Sequence, residues 1–287
     1  ETDTGKEISL AAVGGYGRGE LSPGSDLDIL IVHNGKIGQE KLKAIVNDLL
    51  YPLWDKNSVD HSVRTRSETK EAAASDLRVA TGLLDIRFIA GNADLVGAVR
   101  ADSLDYWRKD AKRNLPELEK TLSERHERAG ELAYLLEPDL KEARGGLRDI
   151  QALRAISLSG AVQVPLEKIS WAESTLNNVR EALHTASGRG KDRLLFQEQD
   201  KVAKILNYKD ADGMMSDVAR AARTVDYLLD YTWHALEHKG KDGLGRIMRR
   251  PRVVNVAKNV SAVEREIIID SLTSFNEDPV VGLRAAA

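Results

Sequence analysis

Two hydrophobic patterns divide this chain. Up to about residue 92, apolar runs typical of strands alternate with helical segments, which predicts strands near 8–13, 27–33, 58–64 and 86–90 and helices near 39–54 and 67–84. After residue 92 helical periodicity dominates, over 104–136, 150–158, 170–185, 197–206, 214–237 and 262–274. We therefore predict a small α/β (α+β) domain over residues 1–100, followed by an all-α helical bundle over 101–287.

A glycine-rich turn separates the first two predicted strands. Gly14 and Gly15 follow the first apolar run, and Arg18 lies three residues further on. Glycine lets the backbone approach a ligand and aim its N–H groups at a phosphate, because no side chain intrudes and positive φ is allowed. Arg18 could add a guanidinium fork to the same triphosphate.

Two aspartates open the second predicted strand. Asp26 and Asp28 are two residues apart, a spacing that puts both carboxylates on one face of a strand, roughly 6.5 to 7 Å apart at the backbone. Such carboxylates repel each other, and a bound Mg²⁺ removes that repulsion while offering its remaining positions to phosphate oxygens. The pair therefore predicts metal-dependent phosphate chemistry.

Asp60 is the candidate for a third carboxylate. The alternating run from Ser58 to Arg64 puts Asp60, Ser62 and Arg64 on one face of a strand and places His61 on the other, where it is expected to pack. Asp60 could be the base that takes a proton from an attacking hydroxyl, a further metal ligand, or an ordinary aspartate in a turn at the strand edge.

The order of these features matches the polymerase-beta type nucleotidyltransferase superfamily: a strand, Gly-Gly, a short helix, then Asp-x-Asp opening the next strand. Within it the chain resembles the PII uridylyltransferase family. Four segments carry this resemblance: residues 14–28 (GGYGRGEL with Pro23 and SDLD), 51–55 (YPLWD), 61–65 (HSVRT) and 141–151, with Lys141-Glu142 and GGLRDIQ. Many members have glycine at the position of Asp60, so this chain departs from that form.

The resemblance implies transfer of a nucleoside monophosphate (UMP, or AMP as in some relatives) from a nucleoside triphosphate to a tyrosine of the PII nitrogen-signalling protein, releasing pyrophosphate. It implies that Asp26, Asp28 and Asp60 hold Mg²⁺, with Mn²⁺ able to substitute, and that Gly14, Gly15 and Ser25 cradle the phosphates. The segment 141–149 is expected over the nucleotide cleft, where Lys141 or Arg148 meets phosphate or the protein substrate. Asp149 is also placed to cap the following helix.

Rival functions remain open at this point. They are a glutamine synthetase adenylyltransferase-like enzyme, an aminoglycoside nucleotidyltransferase, and a non-catalytic regulatory module that binds nucleotide or PII protein. The family's full-length enzymes resemble a composite with a His-Asp hydrolase domain and glutamine-sensing domains, which we expect to be absent here. The chain has no His-Asp dipeptide, so we expect it to add nucleotides and not to remove them.

The amino-acid composition excludes several kinds of site and partner. The chain has no cysteine, which excludes thiolate metal sites and cysteine nucleophiles and permits a cytoplasmic location. The net charge of −3 and only three phenylalanines argue against a nucleic-acid partner, and we read the basic residues 249–252 as a solvated loop or, alternatively, as a contact to phosphate or an acidic partner. No apolar run is long enough to span a membrane.

Overall fold

A four-stranded mixed sheet forms the first part of the chain in a computed structural model. The model describes residues 3–55, 58–241, 253–258, 260–263, 266–269 and 280. The strands are β1 (Ile8–Ala12), β2 (Leu27–His33), β3 (Val59–Thr65) and β4 (Arg87–Gly91), in the order β3-β2-β1-β4. Strands β2 and β3 are parallel, whereas β1 pairs antiparallel with both β2 and β4. All four strands and the small α/β domain predicted from the sequence are confirmed.

Ten helices accompany the strands in the described part of the chain. The short helix α1 (Gly14–Arg18) follows β1, and α2 (Gln39–Trp54) makes the crossover that the parallel pair β2 and β3 requires. The remaining helices are α3 (Arg66–Ser75), α4 (Leu77–Leu83), α5 (Ala93–Lys109), α6 (Ala111–Ala129), α7 (Leu147–Ser159), α8 (Ser170–Ser187), α9 (Phe196–Ile205) and α10 (Ala211–Lys241). None of the described helices combines the length and apolar character that crossing a bilayer requires.

The two faces of the sheet are covered by different helices. Ile29 and Ile31 of β2 pack with Val46 and Leu50 of α2 on one face. Leu30 of β2 points to the other face and joins the large apolar core that continues through the helices from α3 onward. Because side chains alternate along a strand, Asp28 shares its face with Leu30 and therefore points toward the helical part of the chain.

Two predicted helices are each broken by an aspartate. The segment 67–84 forms α3 and α4, because Asp76 takes an extended conformation and its side chain accepts the backbone N–H of Arg78. Within the segment 104–136, α5 ends with Asp110 as its C-terminal cap and α6 begins at Ala111. Helix α6 ends before Gly130, whose φ is +73°. At Asp76 the short polar side chain competes with the helix for backbone hydrogen bonds, which explains that break. The side chain of Asp110 makes no capping hydrogen bond, and the helix breaks there through the backbone of this residue, with φ of −95° and ψ of 15°.

The prediction that residues 262–274 form a helix is wrong for the residues that the structure describes. They belong to an antiparallel sheet of β5 (Val253–Ala257), β6 (Val260–Val263) and β7 (Glu266–Ile269). The segment is rich in valine and isoleucine, whose branched side chains favour strands over helices. Residues 271–274 and the basic residues 249–252 lie outside the described part. The all-α character predicted for residues 101–287 therefore does not extend to this segment.

The chain forms two compact units, Glu1–Leu236 and Glu237–Ala287. The predicted boundary between residues 100 and 101 lies inside α5, which packs against β1 and β4 as well as against α6 and α7. This helix belongs to the hydrophobic cores of both predicted domains, so the division at residue 100 stays a prediction.

A fully buried carboxylate organises the segment before α7. Asp149 is 0% exposed and is contacted by the Arg125 guanidinium and by His126 Nε2, at 2.9 Å from Oδ1. It also accepts the N–H of Gly145 at 2.6 Å, whereas the N-terminal cap position of α7 is Gly146. Burial alone would raise the pKa of Asp149, but His126 and Arg125 outweigh it and hold the pKa below its ordinary value. Asp149 is thus the centre of a buried ion cluster and not the cap residue.

We predict that Asp149→Asn lowers the free energy of unfolding by about 3 kcal/mol, because it leaves the Arg125 charge buried without its partner. Since the pKa of Asp149 is lowered on folding, its contribution is present above the ordinary aspartate pKa and is lost as the pH falls through the lowered value. Urea unfolding followed by circular dichroism measures the difference. The matched control is Asp105→Asn, which removes an exposed ion pair with Lys109 and should cost under about 0.5 kcal/mol. Equal losses of stability in the two variants would contradict the role of Asp149 as the centre of the buried ion cluster.

Candidate active site

The glycine turn brings the backbone after β1 against the side chain of Asp28. Gly14 has φ of +54°, and a Cβ atom added to it would lie 2.9 Å from Oδ2 of Asp28. The N–H of Val13 donates to the carbonyl oxygen of Asp28 at 3.1 Å, which fixes this approach. Glycine is therefore required at position 14 both by its backbone conformation and by the space it leaves for the carboxylate.

Two of the three predicted carboxylates face each other across the parallel strands. Asp28 and Asp60 are direct partners in the register of β2 and β3, so their side chains lie on the same face of the sheet. Val59 and Val63 pack on the opposite face, and His61 contacts the ring of Trp54, with ring centroids 5.7 Å apart. The predicted division of β3 into two faces is confirmed.

The electrostatics of Asp28 show that the acidic residues converge. Burial raises the pKa of Asp28, and the negative charges of Asp60 and Asp26 raise it further. Lys141 and Arg18 act in the opposite direction but do not cancel the effect. Asp26 itself lies just before β2 and is exposed. The structure thus brings the three predicted carboxylates and two of the predicted cationic residues into one neighbourhood.

Arg18 is held in place by two acidic residues. Its Nε donates to Oε2 of Glu20 at 2.6 Å, and its Nη1 contacts the carboxylate of Asp85. Burial would lower the pKa of Arg18, but these two carboxylates raise it overall. One guanidinium nitrogen, Nη2, would lie 3.8 Å from a Cβ atom added to Gly15. Arg18 therefore borders the glycine turn as a permanently charged side chain.

Lys141 and Arg148 have different surroundings. The Nζ of Lys141 lies 3.9 Å from Oδ2 of Asp192, and its charge acts on Asp28. The Nε of Arg148 donates to Oε1 of Glu142 at 3.0 Å, in a half-exposed pair on the segment before α7. The charge of Lys141 therefore acts on the acidic cluster, whereas Arg148 pairs with Glu142.

Ser25 is fixed by residues that sequence reasoning missed. Its Oγ accepts the N–H of Ser22 at 3.0 Å and lies 3.4 Å from Nη2 of Arg180 in α8. The other missed residues are charged groups that hold the loop between α1 and β2: Glu20, Asp85, Arg154 and Asp192. Arg154 and Arg180 have one signal in the sequence, a charge inside otherwise apolar helical periodicity, as at Arg180 between the buried Val179 and Leu183.

The carboxylates fit a divalent cation by their chemistry. Hard cations such as Mg²⁺ take oxygen ligands, and the raised pKa of Asp28 reflects its burial together with a repulsion that such a cation relieves. In the part of the chain that the structure describes, no three His, Cys, Asp or Glu side chains already form a group able to hold a metal ion. The donor types are therefore suitable, while the complete ligand set is not preassembled.

Two family models match different parts of the chain. The model described as nucleotidyltransferase domain matches residues 2–71, which contain the glycine turn and all three carboxylates. The model described as GlnD PII-uridylyltransferase matches residues 113–159 and 164–233, which contain Lys141, Arg148 and Arg180. The candidate site therefore draws residues from both matched regions.

Curated relatives resemble the chain over nearly its whole length. A bifunctional uridylyltransferase/uridylyl-removing enzyme of Streptomyces coelicolor is 44% identical over 98% of this chain and 35% of its own length. The protein of the same name from Mycobacterium tuberculosis is 37% identical over 98% of this chain and 36% of its own length. The chain thus spans about a third of the length of these relatives.

We predict that Asp28→Asn stabilises the fold at pH 7 by about 0.5 kcal/mol, because it removes a partly buried charge that Asp60 and Asp26 repel. The pKa of Asp28 is raised on folding, so the wild-type penalty applies above that pKa and is relieved as the pH falls through it. The stability difference between variant and wild type should therefore vanish at acidic pH. Urea unfolding at several pH values measures it, with Asp48→Asn on the exposed side of α2 as control. A loss of stability at pH 7 would contradict the crowding of the carboxylates.

Proposed function

Because the chain belongs to the PII uridylyltransferase family, we propose that it transfers UMP from UTP to a tyrosine of a PII signal protein and releases pyrophosphate. The names of the relatives support uridylyl transfer. The tyrosine acceptor, the requirement for Mg²⁺ and a cytoplasmic location are parts of this proposal that rest on the family resemblance.

The observation that carries the proposal is the meeting of Asp28 and Asp60 beside the glycine turn. The two are register partners, and the carboxylate of Asp28 lies against Gly14, where an added Cβ atom would be 2.9 Å from Oδ2. Like charges held this close, with Asp28 partly buried, are costly unless a bound cation uses them, so the arrangement is best explained by phosphate chemistry. A module that binds no metal–nucleotide complex would gain nothing from keeping this repulsion.

Each site residue has a role in the proposed reaction. Asp26, Asp28 and Asp60 would hold Mg²⁺, which when bound supplies charge neutralisation for the leaving pyrophosphate. Gly14 and Gly15 let the triphosphate approach the backbone, and Ser25 offers a hydroxyl to a phosphate oxygen. Arg18, Lys141 and Arg148 contribute positive charge toward the phosphates. Asp60, which is exposed, would accept the proton of the attacking tyrosine hydroxyl.

We predict that the chain incorporates labelled nucleotide from UTP into a purified PII protein in the presence of Mg²⁺. Asp26→Asn and Asp28→Asn should each reduce incorporation by at least about 100-fold, because removing one ligand charge leaves the cation site incomplete. The reaction is followed by the label retained on the PII protein. Asp48→Asn is the matched control and should retain full activity.

The choice of nucleotide and acceptor distinguishes the rivals. Label from ATP but not from UTP would replace uridylyl transfer with adenylyl transfer. Label on glutamine synthetase instead of PII protein would indicate the adenylyltransferase-like enzyme. Mg²⁺-dependent binding of UTP without any transfer would contradict catalysis by this chain and support a nucleotide-binding regulatory module.

We further predict that Lys141→Gln raises the KM for UTP about tenfold, because it removes the positive charge that acts on Asp28. The comparison variant is Arg148→Gln. Because the guanidinium of Arg148 pairs with Glu142, this variant should raise the KM by less than Lys141→Gln. Initial-rate kinetics at varied UTP concentrations measure both. A larger effect of Arg148→Gln would reverse this assignment of the main phosphate contact.

A further inference from the structure

The loop between α1 and β2 carries two residues of the proposed site. Residues 19–26 include Ser25 and Asp26, and we call this segment the α1–β2 loop. It has no regular secondary structure of its own, so the position of Ser25 and Asp26 relative to Asp28 depends on what holds the loop. The holding contacts come from helices α7 and α8 and from the segment after α8.

Arg180 of α8 is the principal contact. Only 8% of the residue is exposed, and its Nη1 lies 3.0 Å from Ser22 Oγ and 3.5 Å from the carbonyl oxygen of Glu20. Its Nη2 lies 3.4 Å from Ser25 Oγ. One planar guanidinium therefore contacts three residues of the loop, a geometry that the single ammonium of a lysine cannot reproduce.

Asp192 fixes the guanidinium from the opposite side. Its Oδ1 accepts a hydrogen bond from Nε of Arg180 at 2.6 Å and lies 2.8 Å from Nε2 of His184. Its Oδ2 lies 3.9 Å from Nζ of Lys141. Burial would raise the pKa of Asp192, but His184 and Arg180 hold it below its ordinary value, so the carboxylate stays ionised. Asp192 thus joins Arg180 to the same lysine that acts on Asp28.

Two further contacts hold the α1–β2 loop against the helical region. Oε1 of Glu20 accepts Nη1 of Arg154 in α7 at 2.7 Å. Gly24, with φ of +78°, meets Gly190 so closely that a Cβ atom on Gly190 would overlap the carbonyl group of Gly24. The loop is therefore held at several points along its length and not only at Ser25.

The contacts on Ser25 determine what its hydroxyl can do. A serine hydroxyl has two acceptor lone pairs and one donor proton. The N–H of Ser22 and Nη2 of Arg180 are both donors directed at Oγ, so they occupy the acceptor capacity. The hydroxyl proton is then left to donate away from the loop, which suits a phosphate oxygen.

We propose that Arg180 is a positioning residue for the nucleotide site: its guanidinium, held by Asp192, fixes the α1–β2 loop and orients Ser25 as a hydrogen-bond donor to the triphosphate. The proposal rests on the proposed function, because it assigns Arg180 a role toward the same nucleotide. It assigns no contact between Arg180 and the nucleotide itself. The helical region thereby completes a site whose carboxylates lie on the sheet.

A double-mutant cycle on nucleotide binding tests this role. The dissociation constant for UTP with Mg²⁺ is measured by calorimetry, without acceptor protein, for the wild-type chain, Arg180→Lys, Ser25→Ala and the double variant. Each single variant should weaken binding about tenfold, and the double variant should be no weaker than the worse single one, because Arg180 acts through Ser25. Urea unfolding of all four proteins checks that they are folded.

The matched control is Arg66→Lys, which breaks a two-pronged pair with Asp102 between α3 and α5. It should leave the dissociation constant unchanged. Where Arg180→Lys fails to fold, Asp192→Asn replaces it in the same cycle, because it loosens the guanidinium and keeps its charge.

The possible results separate the two proposals. Additive losses for Arg180→Lys and Ser25→Ala, or lowered stability with unchanged binding, would overturn the positioning role while leaving the proposed function intact. A wild-type chain that binds no UTP in the presence of Mg²⁺ would overturn the proposed function itself.

Discussion

Electrostatic repulsion among Asp26, Asp28 and Asp60 is the constraint on which the rest of the site depends. The parallel register of β2 and β3 places Asp28 opposite Asp60, and the glycine at position 14 lets the chain pass next to this pair. A partly buried cluster of like charge costs folding free energy, as the raised pKa of Asp28 indicates. The fold tolerates this cost because Lys141 and Arg18 reduce it and because strands β1 and β2 are anchored in the apolar core.

The helical region contributes to the site through partly buried ion pairs and hydrogen bonds. Arg154 and Arg180 reach from α7 and α8 to the α1–β2 loop, and Asp192 links Arg180 to Lys141. The contacts that Arg154 and Arg180 make with the loop cross between the ranges that the two family models match. Buried ion pairs add little net stability but demand one geometry, so they suit the task of fixing a loop. Asp149 plays the comparable part for the segment that carries Lys141.

The sequence was sufficient for the sheet and for the residues that line the candidate site. Alternating and continuous apolar runs predicted all four strands of the sheet, and the glycine turn with Asp26, Asp28 and Asp60 predicted the acidic neighbourhood. The break at Asp76 was missed because local capping competes with helical periodicity over one or two residues, and the break at Asp110 is a change of backbone conformation at a single residue.

Contacts distant in sequence were beyond prediction. Arg180 lies 155 residues from Ser25 along the chain, and no local pattern connects them. The described residues between 262 and 269 were misassigned to a helix because short apolar runs fit a helix or a strand equally well by periodicity. The pH titration of the Asp28 carboxyl carbon, followed by ¹³C NMR with and without Mg²⁺, tests the central claim most directly. We expect the carboxyl of Asp28 to titrate with a midpoint above that of an ordinary aspartate. This midpoint should fall when Mg²⁺ and UTP are added. An ordinary midpoint that Mg²⁺ and UTP leave unchanged would contradict the central claim.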